Sequence, residues 1–328
     1  MYMRSMLHNA ESRKPDQALP SGDFRFAGLR KEELVLLGIT IIWGATFLIV
    51  HIAMRYVDPL FFVALRFLVA GAAGWLMFRT VMRGLTLAEV KAGALIGLAI
   101  FAGYGLQTWG LQTISASQSA FISALYVPMV PLLQLFVLRR APHPMAWAGI
   151  ALAFAGLVLM AGPEAGAIAI SLGEMVTLAS AVAIAGEIIL ISHFAGQVDS
   201  RRVTVVQLCA AGLFAVLMMG ATGEALPEFS PVWLVCGVGL GLASALIQWA
   251  MNWAQQRISP TRATLIYAGE PVWGGVIGRL AGDRLPALAL LGAACIVAGV
   301  LVSEWRPRRG WLLRRRPPHA DAGGEATV

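Results

Sequence analysis

Apolar runs of bilayer length recur along this chain with little between them. They fall at residues 33–54, 59–78, 90–111, 117–138, 145–162, 171–192, 203–221, 231–252, 262–281 and 287–304. A helix rises about 1.5 Å per residue, so each run is near the ~20 residues that cross a hydrocarbon core about 30 Å thick. The connectors are mostly too short to hide an extramembrane domain. Only 13% of the residues are charged and 58% are hydrophobic, whereas soluble domains average about 25% charged. A soluble chain this apolar would expose very large greasy patches. The expectation is an all-α membrane protein with ten transmembrane helices.

Charge placement orients these spans. Residues 1–31 carry Arg4, Arg13, Lys14, Arg25, Arg30 and Lys31, and residues 305–328 carry Arg306, Arg308, Arg309, Arg314, Arg315 and Arg316. The first segment is too long and mixed for the charged region of a cleaved signal. It reads as a basic cytoplasmic arm, and the last as a disordered basic tail. With the N-terminus inside, inner connectors hold Arg79, Arg83, Lys91, Arg139, Arg140, Arg201, Arg202, Arg257 and Arg262, while outer ones hold Arg55, Arg279 and Arg284. Cytoplasmic loops favour Lys and Arg, so both termini are expected to be cytoplasmic, in an inner membrane. The net charge of +7 fits an anionic lipid leaflet, not nucleic acid. Cys209, Cys236 and Cys295 are isolated in apolar runs, so neither metal nor disulfide is expected.

The halves resemble each other. Asp58, Gly71 and Gln107 recur 141 positions later as Asp199, Gly212 and Gln248, and Gly149 and Gly156 recur 143 later as Gly292 and Gly299. Five spans per half is an odd number, so the second half would be inverted in the membrane. The inner pair Arg139–Arg140 corresponds to Gly282–Asp283 outside, as inversion requires. Two inverted five-helix repeats, 32–162 and 170–304, are a recurrent plan for secondary transporters.

Short motifs add a family resemblance. Trp43-Gly44-Ala45-Thr46-Phe47, Pro59 with Arg66, Pro131, Glu270-Pro271-Val272-Trp273 and Gly282-Asp283-Arg284 together resemble the EamA-domain branch of the drug/metabolite transporter superfamily over about residues 33–304. The family usually has Gly-Glu where this chain has Gly282-Asp283. The resemblance implies inverted five-helix halves around a central cavity between spans 1, 3, 4, 6, 8 and 9. It implies export or exchange of small metabolites, often amino acids or amphiphilic compounds.

Few ionisable groups lie inside the spans. Glu270, near the middle of span 9, reads either as a cavity carboxylate that binds a cation or cycles a proton, or as a structural acid. Arg66, mid-span 2, stays charged and must be paired or hydrated; it reads either as a holder of a substrate carboxylate or as a structural charge, and the family commonly has arginine here whatever its substrate. Its repeat partner is the uncharged Gln207. Glu174, Thr177, Ser180 and Glu187 share one face of span 6. Glu187 is a candidate for coupling; Glu174 lies nearer the surface. His51 and His193 sit at span ends, where histidines are mostly interfacial. Polar rows Tyr104–Thr108–Gln112 and Gln248–Asn252–Gln256 mark spans 3 and 8. Their amides either bind a zwitterion or glue helices together. Gln107, Gln248 and Asn252 are the expected polar substrate contacts; Gln112, Gln255 and Gln256 are expected nearer the surface. Trp43, Tyr126 and Tyr267 are the aromatic cavity candidates, while Trp75, Trp147, Trp233, Trp305 and Trp311 read as interfacial or peripheral. Pro128, Pro131 and Pro271 are candidate hinges. Gly93 with Gly97, and Ala70 with Gly74, are small-residue pairs that let helices approach.

The expected function is a secondary transporter of a small organic solute by alternating access. Partners would be the bilayer and the substrate, with proton coupling and homodimerisation left open. Without a phosphate-binding loop, ATP is not expected as direct energy source, and no cofactor or metal is expected. The rivals are a membrane sensor or assembly protein and an intramembrane enzyme. An enzyme would need a cluster of acids or histidines at one surface, and none is present.

Overall fold

Helix-start signals explain where most spans begin. The computed structural model describes residues 25–26, 29–138, 144–161, 170–258, 260–283 and 287–304. The Thr86 hydroxyl accepts from Glu89 N while Glu89 reaches back to Thr86 N, a reciprocal cap that starts α3. Ser171 with Glu174 does the same for α7, and Ser115 with Gln118 for α4. Each cap satisfies donors that a helix end leaves open. Pro59 and Pro231 sit at the first positions of α2 and α9, where no N–H is needed.

The helices are α1 Lys31–Ala53, α2 Pro59–Met82, α3 Leu87–Gly110, α4 Ala116–Ser123, α5 Tyr126–Leu138, α6 Pro144–Ala161, α7 Leu172–Phe194, α8 Ser200–Thr222, α9 Pro231–Gln255, α10 Pro260–Tyr267, α11 Glu270–Leu280 and α12 Ala287–Glu304. Ahead of them, two-residue strands Arg25–Phe26 and Leu29–Arg30 pair antiparallel. Among the described residues, seven stretches are long and apolar enough to cross a membrane: α1, α2, α3, the α4–α5 stretch, α7, α8 and α9. The helices α6 and α12 lie where the fifth and tenth runs were expected and pack against each other. The arm and tail lie almost wholly outside the described residues, as do Arg139, Arg140 and Arg284.

Two expected spans are not continuous. The fourth breaks between Ser123 and Tyr126, and the ninth between Tyr267 and Glu270. Pro271 is therefore no kink inside a long helix. It is the second residue of α11, where its missing N–H costs nothing. Pro131 does lie inside α5, and Pro128 lies in that helix's first turn.

Helix α2 packs on α8 and α9, α3 on α7 and α8, α1 on α9 and α11, α5 on α7, and α11 on α4. Large apolar side chains such as Leu76, Met77, Leu217 and Val235 point outward, as lipid-facing surface requires. A carboxylate clamps helices at each end of the α2–α8 pair. At one end Glu89 accepts from Asp199 N at 3.2 Å and from Arg202 Nη1 at 3.3 Å. At the other, Glu224 accepts from the α2 amides of Leu60 and Phe61 at 3.3 and 2.7 Å. Asp199 lies outside the spans; the Arg201 side chain holds its carboxyl below the usual range.

Glycine sets the closest approaches. A Cβ on Gly97 would meet Gln207 O at 2.6 Å and Ala211 N at 3.1 Å, and one on Gly93 would meet Gln207 N at 3.1 Å. Gly93 and Gly97 thus seat α3 directly on α8. The pair Ala70 and Gly74 behaves differently. A Cβ on Gly74 would only touch Val205 at 3.4 Å, whereas one on Gly71 would meet Cys209 N at 3.1 Å. Gly71, not Gly74, carries that contact. Gly97→Ala is expected to destabilise by about 1–3 kcal/mol, since backbone cannot yield. Gly74→Ala is expected to be nearly neutral. Thermal unfolding of the two variants in detergent checks this, and equal shifts would overturn it.

Candidate functional site

The two helix breaks bring their flanking side chains together. Tyr126 is the first residue of α5, Tyr267 the last of α10 and Glu270 the first of α11. The Tyr126 hydroxyl donates to Glu270 Oε2 at 3.1 Å. Trp43 of α1 lies between the two tyrosines. Its ring stacks near Tyr126 at 6.2 Å and 18°, and meets Tyr267 edge-on at 5.8 Å and 75°. All four side chains are buried. Glu270 thus stands in the first turn of a helix, where open N–H groups and the helix dipole favour an anion. Tyr267 accepts at 3.1 Å from Gln255 Nε2, whose Oε1 accepts from the Ser192 hydroxyl at 2.8 Å.

A second polar cluster gathers around α9. Gln248 Nε2 donates to Glu187 Oε1 at 2.8 Å, and Gln207 Nε2 donates to Gln248 Oε1 at 2.7 Å. One turn earlier on α9, Ser244 Oγ accepts from Arg66 Nε at 2.7 Å. The Arg66 guanidinium also lies over the Tyr104 ring at 4.8 Å and the Phe67 ring at 5.4 Å. Arg66 is 2% exposed and Glu187 0%. Among the described residues neither has an ion-pair partner within 4.0 Å; the ion pairs found are Arg30–Glu32, Arg201–Asp199, Arg202–Glu89 and Arg257–Glu32. Three polar atoms here are buried with no hydrogen-bond partner: Arg66 Nη2, Glu187 Oε2 and Gln207 Oε1. Unpaired polar atoms at such depth are costly, so the cluster is chemically unfinished.

Several expected residues are accounted for locally. Gln107 Nε2 donates to Ser123 Oγ at 3.0 Å, beside the first break. The Asn252 amide donates to Gln248 O of its own helix at 2.9 Å. Glu174 is neither simply solvated nor in the polar centre: it caps α7. Thr177 and Ser180 bond to backbone carbonyls of α7. His51 Nδ1 lies 3.1 Å from Leu111 O, and His193 lies against Phe194. Gln112 is exposed and Gln256 half-buried. Trp109 is half exposed and faces outward, while Trp233, the third residue of α9, lies at a helix end and is packed between Phe61 and Phe229.

Gln255 was expected near the surface yet is buried against Tyr267. Ser244 precedes Gln248 by four and extends the row Gln248–Asn252–Gln256 by one turn, the one sequence signal that points to it. Gln207 stands out in the sequence only as the counterpart of Arg66. Among the described residues no group of three or more His, Cys, Asp or Glu side chains could hold a metal.

Comparison with known proteins agrees with a transport role. The EamA-like transporter family matches this chain twice, over residues 30–162 and 171–305. A protein of Archaeoglobus fulgidus named only as an uncharacterized transporter is 26% identical over 280 residues, covering 84% of this chain and 86% of its own length. The uncharacterized inner membrane transporter YedA of Escherichia coli K12 is 27% identical over 293 residues, covering 81% and 88%. A solved crystal structure superposes with a TM-score of 0.60 at 20% identity, covering 84% of this chain and 97% of that one; at that identity the likeness speaks to fold alone.

Tyr126→Phe removes the one hydrogen bond that Glu270 makes among the described side chains. Leaving that carboxylate unsatisfied is expected to cost about 1–3 kcal/mol, read as a lower melting temperature in detergent. Tyr56→Phe, at an exposed tyrosine, is expected to melt like the unmodified protein.

Proposed function

The chain belongs to the EamA-like transporter family, and from that premise we propose that it is a secondary carrier of the inner membrane, exporting or exchanging a small organic metabolite by alternating access. The observation that carries the reading is the pair of broken spans. Their breaks, at 124–125 and 268–269, lie 144 positions apart and both open onto the Trp43–Tyr126–Tyr267–Glu270 cluster. Discontinuous helices at corresponding places in two halves are the usual mark of a carrier's binding site.

The same correspondence supports ten spans in two inverted halves. Exchanging the halves turns the α4–α11 contact into α10–α5, the α3–α7 contact into α9–α1, and the α5–α7 contact into α11–α1. Each of these pairs packs. With both termini cytoplasmic, α4 and α11 meet on the outer side. There Asp283 Oδ2 accepts from Ser117 N at 3.1 Å, and Gly274 and Gly275 admit Ala120 and Phe121. On the inner side, Arg257 reaches Glu32 at 3.7 Å. Loosening one end while the other stays shut would expose the polar centre to alternate sides. Pro128, Pro131 and Pro271 lie in the half-helices that would move. Trp43, Tyr126 and Tyr267 would contact the apolar part of the solute, with Gln107, Gln248 and Asn252 near its polar part.

Glu270 is the coupling residue in this reading. A buried acid beside a helix start and a tyrosine donor can change its protonation as the centre opens and closes. The test is counterflow in proteoliposomes loaded with a mixed metabolite pool. Saturable tracer uptake that needs internal substrate is expected. Glu270→Gln is expected to keep exchange but to lose pH-driven accumulation by about tenfold or more. Absence of counterflow would favour a sensor or enzyme, and Glu270→Gln transport driven by pH as in the unmodified protein would make that carboxylate structural.

A further inference from the structure

The C-terminal end of α2 carries two arginines that the fold leaves unmatched. Phe78 and Val81 hold this end to the bundle. The Phe78 ring lies 6.0 Å from that of Trp249 in α9, and Val81 O accepts from Arg202 Nε of α8 at 2.8 Å. Trp75, Arg79 and Arg83 follow one another at four-residue intervals on a different stripe. With Thr80 and Met82 they line a groove of about 630 Å³, within the ~300–1,000 Å³ of small-ligand sites. Both arginines are exposed, and among the described residues neither makes a hydrogen bond or an ion pair. Arg201, Arg202 and Arg257, at the same end of the bundle, each have an acid: Asp199, Glu89 and Glu32.

Position alone does not account for the groove. A helix C-terminus favours a cation through its dipole, and inner connectors favour basic residues. Neither calls for two like charges one turn apart, about 5–6 Å at Cβ, which repel each other. A phosphodiester between them removes that repulsion, because guanidinium groups bind phosphate oxygens through paired hydrogen bonds.

The apolar side of the groove identifies the rest of the ligand. Trp75 is 52% exposed, and Leu76 and Met77 beside it are 63% and 67% exposed. An indole at the edge of a span sits at headgroup depth. The arginines lie one and two turns beyond it, away from the middle of the span. A phospholipid presents charge and apolar chain in that order. A soluble phosphate would cover the arginines and leave the apolar stripe bare. A zwitterionic headgroup would bring its own cation beside them. A second copy docked through the same face would set arginine against arginine.

We propose that Trp75, Arg79 and Arg83 form a site for one anionic phospholipid, its phosphodiester held by the two guanidinium groups and its glycerol and upper chains against Trp75. Basic pockets on the cytoplasmic side are where acidic headgroups bind. With both termini cytoplasmic, this end of α2 meets the inner leaflet. The leaflet rests on that topology; the site rests on the groove.

The test measures binding to the full chain in detergent. Both ends of the bundle are then open to added lipid, so neither transport nor topology enters the result. Phosphatidylglycerol, phosphatidylcholine with the same chains, and glycerol 3-phosphate are titrated separately and in competition, and bound lipid is counted by native mass spectrometry. The unmodified protein is expected to bind phosphatidylglycerol at least about tenfold tighter than phosphatidylcholine, and glycerol 3-phosphate is expected not to compete. Arg79→Gln and Arg83→Gln change exposed side chains, so both are expected to melt like the unmodified protein and to bind phosphatidylglycerol about fivefold or more weakly. Arg201→Gln removes the same charge from the same end, at a residue already bonded to Asp199, and is expected to bind like the unmodified protein.

Equal binding of the two lipids overturns the site. A loss in Arg201→Gln as large as in the other two variants does so as well, since the preference would then be diffuse charge attraction. Displacement of the lipid by an equal concentration of glycerol 3-phosphate overturns the lipid in favour of a soluble phosphate. A dimer of the unmodified protein that dissociates in Arg79→Gln overturns it in favour of a second copy.

Discussion

A backbone that leaves the helix inside a membrane must find its hydrogen bonds within the protein. The two breaks of this chain meet that demand with tight local turns. At the first, Leu125 N reaches Ile122 O at 3.1 Å and Val127 N reaches Ala124 O at 3.0 Å; at the second, Ala268 N reaches Thr264 O and Gly269 N reaches Ile266 O, both at 3.0 Å. Such turns are tolerable only where neighbours exclude lipid. The rest of the bundle supplies those neighbours, with Trp43 of α1 between the tyrosines at the two breaks and Gln107 of α3 bonded to Ser123 beside the first. The polar centre lies where it does because the chain stops being helical there.

Burial then sorts the ionisable groups into two kinds. Glu89, Glu174 and Glu224 sit at helix ends and serve local accounting: each accepts from backbone N–H groups that would otherwise go unpaired. Glu270, Glu187 and Arg66 sit where no helix end or ion pair satisfies them fully. Glu270 has a tyrosine and a helix start. Glu187 has one amide on one oxygen. Arg66 has one serine and two aromatic faces. Stability alone would replace such groups with apolar ones at little cost. The carrier function proposed above gives such groups a use that stability does not.

Much of this was legible in the residues. Apolar runs placed most helices within a few positions, because lipid requires a fixed length of apolar chain whatever packs beside it. The EP dipeptide at Glu270 and the aromatic trio Trp43, Tyr126 and Tyr267 stood out because polar and bulky aromatic groups are conspicuous against an apolar background. The breaks were not legible. Ala124-Leu125 and Ala268-Gly269 contain no strong helix breaker except one glycine, and hydropathy averages across them. Gln255 was misplaced for a related reason: distance from a span's centre measures depth along the normal and says nothing of whether a side chain faces lipid or protein.

The sequence alone determined that this chain lives in a bilayer, roughly where it crosses, and which few polar residues it carries there. Those follow from local quantities, namely apolar length, charge placement and composition. Only the tertiary structure decided that Glu270 begins a helix, that Gln207 and Ser244 join Glu187 and Arg66 around α9, and that Gly71 instead of Gly74 seats α2. The physical reason is that a helical period assigns a residue to a face, whereas partnership depends on which neighbouring helix that face meets, and at what distance.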